Sequence, residues 1–272
     1  MRERYKLGWV PDVPDTRDVA FAEKFRLPRE LPHSADLRSA CSGVKDQGAL
    51  GSCTAQALAG ALEFLQLREL GGPTARYRDL SPLFLYYNTR VMMDTVASDS
   101  GAMLRTAVKS LKKTGICREL LWPYIVKLFA VQPPPPCYTE ARRHRVLAYQ
   151  RLQTLPEMRA CLAMGDPFVF GFAVYEHALT AATARTGRLR KPRRGERMVG
   201  GHAVMAVGYD DRRRLLLFRN SWGRNWGREG YGELPYAYLE SRELTDDFWH
   251  VQTTSNNTYA RGRTAGASKR KA

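Results

Sequence analysis

Gln47-Gly48-Ala49-Leu50-Gly51-Ser52-Cys53-Thr54-Ala55 is the stretch on which the reading of this chain turns. A cysteine that opens a helix directly after glycines sits among backbone N–H groups lacking helical partners, at the positive end of the helix dipole. A thiolate needs those surroundings. An isolated cysteine is otherwise more readily a buried structural residue. The helix predicted here takes Ser52 as N-cap, places Ala55, Leu58, Leu62 and Leu65 on one face, and stops at Gly71-Gly72-Pro73.

Two further helices follow downstream. One opens with Ser81 as cap and Pro82 in the first turn, where the missing donor of proline is harmless. The next turns Met103, Leu104, Ala107, Val108 and Leu111 inward and Arg105, Lys109 and Lys112 outward, ending near Gly115. The run Pro133 to Pro136 reads as a stiff extended connector where the chain changes domain. A short helix fits residues 155 to 164. Strands are then predicted at Phe168–Tyr175, Ala203–Tyr209, Leu215–Arg219, Tyr231–Leu234 and Phe248–Gln252. Helices first and strands later indicate an α+β fold with the two types segregated.

Beyond the cysteine, Gly200-Gly201-His202-Ala203-Val204 sets a histidine at the start of an apolar strand, and Asn220-Ser221-Trp222-Gly223 ends another. Singly, the first is a core histidine and the second a turn. Jointly, a cysteine in front, a histidine and an asparagine far behind on strands, and Gln47 six residues before the cysteine compose one nucleophilic mechanism. His202 follows Cys53 by 149 residues and Asn220 by 167, against about 130–150 in the papain and cathepsin pattern. The Arg-rich stretch before Gly200 accounts for the added length.

On these residues the chain resembles the papain family of cysteine peptidases over residues 31 to 252. The likeness rests on Gln47 to Ala55, Ser100-Gly101-Ala102 before a helix, Trp122-Pro123-Tyr124, Gly201 to Val204, and Asn220 to Gly232. Gly8-Trp9-Val10-Pro11-Asp12 with Asp15-Thr16-Arg17-Asp18 is similar to bacterial, xylellain-type members. The resemblance implies a two-lobed fold, a helical lobe and a β-barrel-like lobe with the active-site cleft between them. It implies that Cys53 attacks as thiolate, its pKa strongly lowered by His202 in imidazolium form, as in papain at about 3–4. His202 would protonate the leaving amine and then activate water, Asn220 would hold the ring, and Trp222 would shield that bond. Gln47 and the Cys53 N–H would form the oxyanion hole, at on the order of 2.7–4 kcal/mol per donor. Ser100, Gly101 and Ala102 would bind extended substrate backbone, Gly201 would line the main specificity pocket, and Trp226 the leaving-group side. Leu50 and Thr54 depart from the family pattern, which has a cysteine and an aromatic there; the first loss removes a disulfide, and neither touches the chemistry.

The organisation expected is an N-terminal extension over 1–30, a helical lobe over 31–137, a β-rich lobe over 138–257 with a basic insertion at 185–197, and a disordered basic tail over 258–272. The extension is either a surface belt, the preferred reading, or a plug across the cleft. The net charge of +16 is concentrated: residues 185–197 hold seven basic residues against Glu196, and 259–272 hold five and no acid. Such pieces read first as solvated chain and second as a binder of nucleic acid or an anionic surface. Five cysteines make no disulfide scaffold and show no zinc spacing. No stretch approaches the roughly 20 apolar residues of a membrane span, and the basic N-terminus lacks the apolar region of a secretory signal, so a reduced protein is expected. The partners expected are a peptide or protein substrate, with no metal, cofactor or membrane, and a monomeric state. Rival functions are another acyl transfer on the same fold (amidase, deamidase, transpeptidase), and an inactive binding protein.

Overall fold

The computed structural model describes residues 5–72 and 77–253, so the tail expected at 258–272 lies outside them. Eight helices and seven strands are named here: α1 (Phe21–Lys24), β1 (Ser34–Asp36), α2 (Cys53–Glu69), α3 (Pro82–Met92), α4 (Leu104–Lys113), α5 (Pro135–Ala141), β2 (Ala148–Arg151), α6 (Leu155–Ala163), β3 (Phe168–Tyr175), α7 (Ala181–Thr186), β4 (Met198–Asp210), β5 (Leu215–Arg219), β6 (Tyr231–Pro235), α8 (Tyr236–Leu239) and β7 (Thr245–Gln252).

The strands form one antiparallel sheet in the order β2-β7-β3-β4-β5-β6, with β1 added to β4. The path stays open, so the barrel-like lobe expected from the sequence is a curved sheet and not a closed barrel. Alternation along β3 sets its two sides apart. Val169 faces the helices and joins their core, while Phe168, Phe170, Phe172 and Val174 fill a second core on the far face with Trp222, Trp226 and Phe248. The architecture is two-lobed α+β.

Helix α2 departs from its predicted amphipathic form. From Cys53 to Leu65 every residue is buried, because the helix lies between β4 on one side and α3 and α4 on the other. Its small residues allow this: a Cβ at Gly60 would stand 2.6 Å from the Arg219 guanidinium. Ser52 occupies the N-cap position, but its hydroxyl pairs with Tyr124 Oη at 2.5 Å and does not cap. Ser81 does cap α3, accepting from Phe84 N–H at 3.1 Å. The proline run is not wholly extended, since Pro135 and Pro136 form the first turn of α5, where proline is tolerated.

Arg105 on α4 is buried, not outward. The N-terminal segment covers it: its side chain pairs with the Asp18 carboxylate and donates to Val13 O, and its backbone N–H bonds Asp12. Further on, Val19 O accepts from Arg151 N–H and Phe21 inserts fully between Phe25 and His250. The basic insertion is likewise folded onto the body. Leu189 is buried, Arg188 pairs with Glu233, Arg190 with Glu196 and Arg197 with Glu176. Arg185, Lys191, Arg193 and Arg194 are exposed, so the loop is anchored at a few points with much of its charge in solvent.

Candidate active site

Cys53 is the first residue of α2 and is fully buried, with backbone N–H groups of Ala203, Gly8 and Thr54 around its sulfur. The loop in front of it is held from two sides. Asp99 accepts from Gly51 N–H at 3.1 Å, and Tyr124 Oη donates to Gln47 O at 2.9 Å. These contacts give Tyr124 of the Trp122-Pro123-Tyr124 motif a role in fixing the cysteine loop.

His202 lies on β4, opposite Phe172 of β3. Its Nε2 donates to Asn220 Oδ1 at 2.7 Å, and the same oxygen accepts from Ser221 N–H at 2.8 Å. Because that oxygen already serves a backbone donor, Nε2 is the protonated ring nitrogen and Nδ1 is left as a lone pair without a partner. Trp222 stacks on the imidazole with centroids 4.6 Å apart, and Trp226 meets Trp222 edge-on at 5.4 Å. Both indoles are buried, so the His202–Asn220 bond is shielded from water.

Gln47 is fully buried and clamped at both ends. Its Oε1 accepts from Ser221 Oγ at 2.6 Å, and its Nε2 donates to Leu50 O and to Lys6 O, each at 2.9 Å. A peptide carbonyl, that of Lys6, thus occupies the donor predicted to receive a substrate oxygen.

That carbonyl belongs to the N-terminal segment, which runs through the cleft. Residues 5–12 pass over Cys53, the course of the reading in which the extension crosses the cleft. Tyr5 stacks on Trp222 at 5.0 Å. A Cβ at Gly8 would lie 2.0 Å from Gly51 O, so only glycine lets the backbone pass this close to the cysteine loop. Gly8 O accepts from Ala102 N–H at 2.8 Å, Val10 N–H donates to Ala102 O at 3.1 Å, and Trp9 N–H donates to Gly201 O at 3.0 Å. Of the predicted backbone-binding residues, Ala102 pairs with the chain and Gly101 abuts Gly8 O, whereas Ser100 Oγ turns to Thr95 Oγ1 at 2.9 Å. Gly201 meets the Trp9 backbone and ring, where a Cβ would stand 2.6 Å from Trp9 O. Trp226 packs edge-on against Trp222 in the second core.

The covering changes the electrostatics. Burial pushes the Cys53 thiol from 9.0 up to about 11, against the pull of the surrounding N–H groups. Burial also pushes His202 from 6.5 down to about 4, although the Asn220 bond favours its protonated form. In this covered state burial favours the neutral thiol and the neutral imidazole, the opposite direction to the lowering that the family resemblance implies. Ser221, Asp99, Asp247 and Trp9 were not singled out from sequence for the site. The only signals for them were position inside quoted motifs for Ser221 and Trp9; Asp99 and Asp247 had none.

Among the described residues no group of three or more His, Cys, Asp or Glu is arranged to hold a metal, and no helix is long and apolar enough to cross a membrane. All five cysteines are free.

The family model for papain family cysteine proteases matches residues 31–243. An uncharacterised peptidase C1-like protein of Acanthamoeba polyphaga mimivirus is 35% identical over 275 residues, covering 92% of this chain and 87% of that one. Mouse pro-cathepsin H is 27% identical over 240 residues, 84% of this chain and 67% of its own. The crystal structure of xylellain, a cysteine protease from Xylella fastidiosa, superposes with a TM-score of 0.84 at 36% identity, covering 93% of this chain and 99% of that one.

Proposed function

This chain belongs to the papain family of cysteine proteases, and on that premise we propose that it is a cysteine endopeptidase folded with its own N-terminal segment in place of substrate. It is a cysteine-type peptidase by family. The finer reading concerns how the site works and why it is closed. The observation that carries it is the Lys6 carbonyl on Gln47 Nε2, directly over the Cys53 loop. A main-chain carbonyl seated on that donor favours a peptide substrate over a small amide, and so endopeptidase over the amidase and deamidase alternatives.

In the open state His202 Nδ1 takes the Cys53 proton, and the thiolate attacks the scissile carbonyl. Negative charge then develops on an oxygen at the Gln47 amide, where the Ser221 hydroxyl keeps the amide oriented. His202 returns its proton to the leaving amine, giving a thioester that water hydrolyses with the imidazole as base. Asn220 Oδ1 holds the ring through Nε2 in each step. In the closed state Gly8 covers the sulfur, water and substrate are excluded, and neither partner carries charge.

The test is labelling of the full chain with an epoxide that captures activated thiols. Slow labelling of Cys53 in the parent and fast labelling in Gly8→Ala, lost again on adding His202→Ala, is the expected result. Equal rates in the parent and Gly8→Ala would remove the closed-state reading. No labelling of Cys53 in any variant, with no new peptide N-termini in a digest, would remove the peptidase mechanism.

A further inference from the structure

The side chain of Trp9 fills a pocket that the rest of the segment does not need. Two of its walls are bare backbone. A Cβ at Gly171 would stand 2.0 Å from Trp9 Cε2, and one at Gly201 would stand 2.7 Å from Cε3. The indole therefore lies flat in a slot that only glycines leave open. At the end of the slot Trp9 Nε1 donates to Asp247 Oδ2 at 3.0 Å. Asp247 is fully buried and stands in a β-bulge, where the pairing of β3 with β7 shifts between Val169 and Gly171. Its φ of 56° is left-handed, a conformation Asp adopts more readily than most residues.

We infer that this slot is a substrate pocket selective for tryptophan, with Asp247 as its specificity-determining residue. The inference rests on the peptidase reading above. Its argument is one of polar satisfaction. Asp247 Oδ2 has two donors, Trp9 Nε1 at 3.0 Å and Asp12 N–H at 2.8 Å, and both belong to the segment. When the segment leaves, that oxygen loses both donors, while Oδ1 keeps Arg151 at 3.2 Å. A buried carboxylate oxygen without a donor is unfavourable, so an incoming side chain with a ring N–H is selected over one of similar shape without it.

Charge decides between an indole and a cationic side chain. The groups facing Asp247 are Asp12, Asp246 and Arg151, with Arg105 and Asp18 just beyond. Asp12 and Asp18 depart with the segment. Arg151 then remains paired with both Asp246 and Asp247, and Arg105, released from Asp18, shares the Trp249 ring with it; two guanidinium groups beside two carboxylates offer a neutral donor more than they offer a lysine or arginine.

The test uses the full-length Gly8→Ala protein, in which the segment cannot pass Gly51, to digest a peptide library made from denatured proteins. Sequencing the products should show tryptophan enriched over phenylalanine by about tenfold or more at one fixed position from the cleaved bond. Adding Asp247→Gly, which suits the left-handed backbone, should erase that enrichment while phenylalanine-bearing peptides are still cut. Asp247→Asn, which retains an acceptor, should keep part of it. Gly171→Ala, which narrows the slot without touching Asp247, should shift the preference towards small side chains. Cleavage without tryptophan enrichment, or enrichment unchanged in Asp247→Gly and Gly171→Ala, overturns the inference and leaves the peptidase reading standing. No cleavage and no labelling of Cys53 overturns both.

Discussion

Residues 5–18 and residues 185–197 are both polar, irregular stretches, and both lie against the β-rich side of the molecule, yet they are attached by different physics. The loop 185–197 is fastened by ion pairs at the surface, with Arg188, Arg190 and Arg197 all exposed or half-exposed. The segment 5–18 is fastened by main-chain hydrogen bonds to Ala102 and Gly201, the half-buried Trp9 indole on the buried Asp247, and the Arg105–Asp18 pair. Exposed ion pairs each contribute about 0.2–1 kcal/mol. Buried, directional contacts fix a single geometry and leave unsatisfied groups behind when broken. The comparison teaches that net basic charge, the most visible property of the loop, does not mark what lies at Cys53, whereas a segment of mixed composition covers it.

The strongest test of that contrast removes the chemistry the segment guards. In the Gly8→Ala background, His202→Ala should lower peptide cleavage by on the order of 10³–10⁴ or more, measured as kcat/KM on a denatured protein substrate. Retained cleavage would mean that the cleft beneath the segment is not where the reaction occurs.

Next in size is the opening itself. Gly8→Ala should raise the rate of Cys53 labelling by on the order of 10²-fold, equivalent to about 2.7 kcal/mol. The pH profile sharpens the result. A thiol raised from 9.0 to about 11 when covered means that the closed state binds the proton more tightly. Closure therefore weakens as pH climbs from the open-state thiol pKa towards 11, and the parent should gain reactivity with iodoacetamide across that window. The opened variant should instead react well below pH 9, as a thiol paired with imidazole does. Superimposable profiles would break the contrast.

A smaller effect is expected from Arg105→Gln, which removes one of the two arginine partners of Asp18, Arg151 remaining at 3.3 Å, without touching the cleft. Labelling of Cys53 should rise about tenfold, because the anchor is one of several and the segment keeps its main-chain bonds. The smallest effect belongs to the loop. Replacing Arg188, Arg190 and Arg197 together with Gln should lower stability by about 2 kcal/mol or less in urea unfolding and change cleavage by less than about twofold. A larger loss of activity would return the loop to the functional surface.

Much of the site is legible because its signals are local. Ser81 capping a helix that begins with Pro82 needs only four residues to be recognised, and the structure has it. The strand over Phe168–Tyr175 is legible because eight apolar residues in a row leave no polar face. His202 and Asn220 are legible as a pair with Cys53 because the chemistry requires those types in that order. Arg105 misleads because its position on α4 is outward by helical geometry, and only the arrival of Asp18 buries it. The one-faced pattern of α2 misleads because alanine and glycine turn any face into a packing face once a sheet lies against it. Asp247 gives no sequence signal, since a bulge that re-aims one side chain depends on the register of β3 against β7.

By itself the sequence singled out Cys53, His202 and Asn220 as candidates for one mechanism, and gave the helical and strand halves and the family to which they belong. Those follow from residue type, spacing and periodicity, which the chain carries along its length. The tertiary structure alone decided that Lys6 O rests on Gln47, that Gly8 passes over Cys53, and that Trp9 meets Gly171, Gly201 and Asp247. Each of these joins the first dozen residues to positions far along the chain. Which segment fills a cleft depends on the shape and unsatisfied hydrogen bonds of the whole folded surface, and no local pattern encodes that.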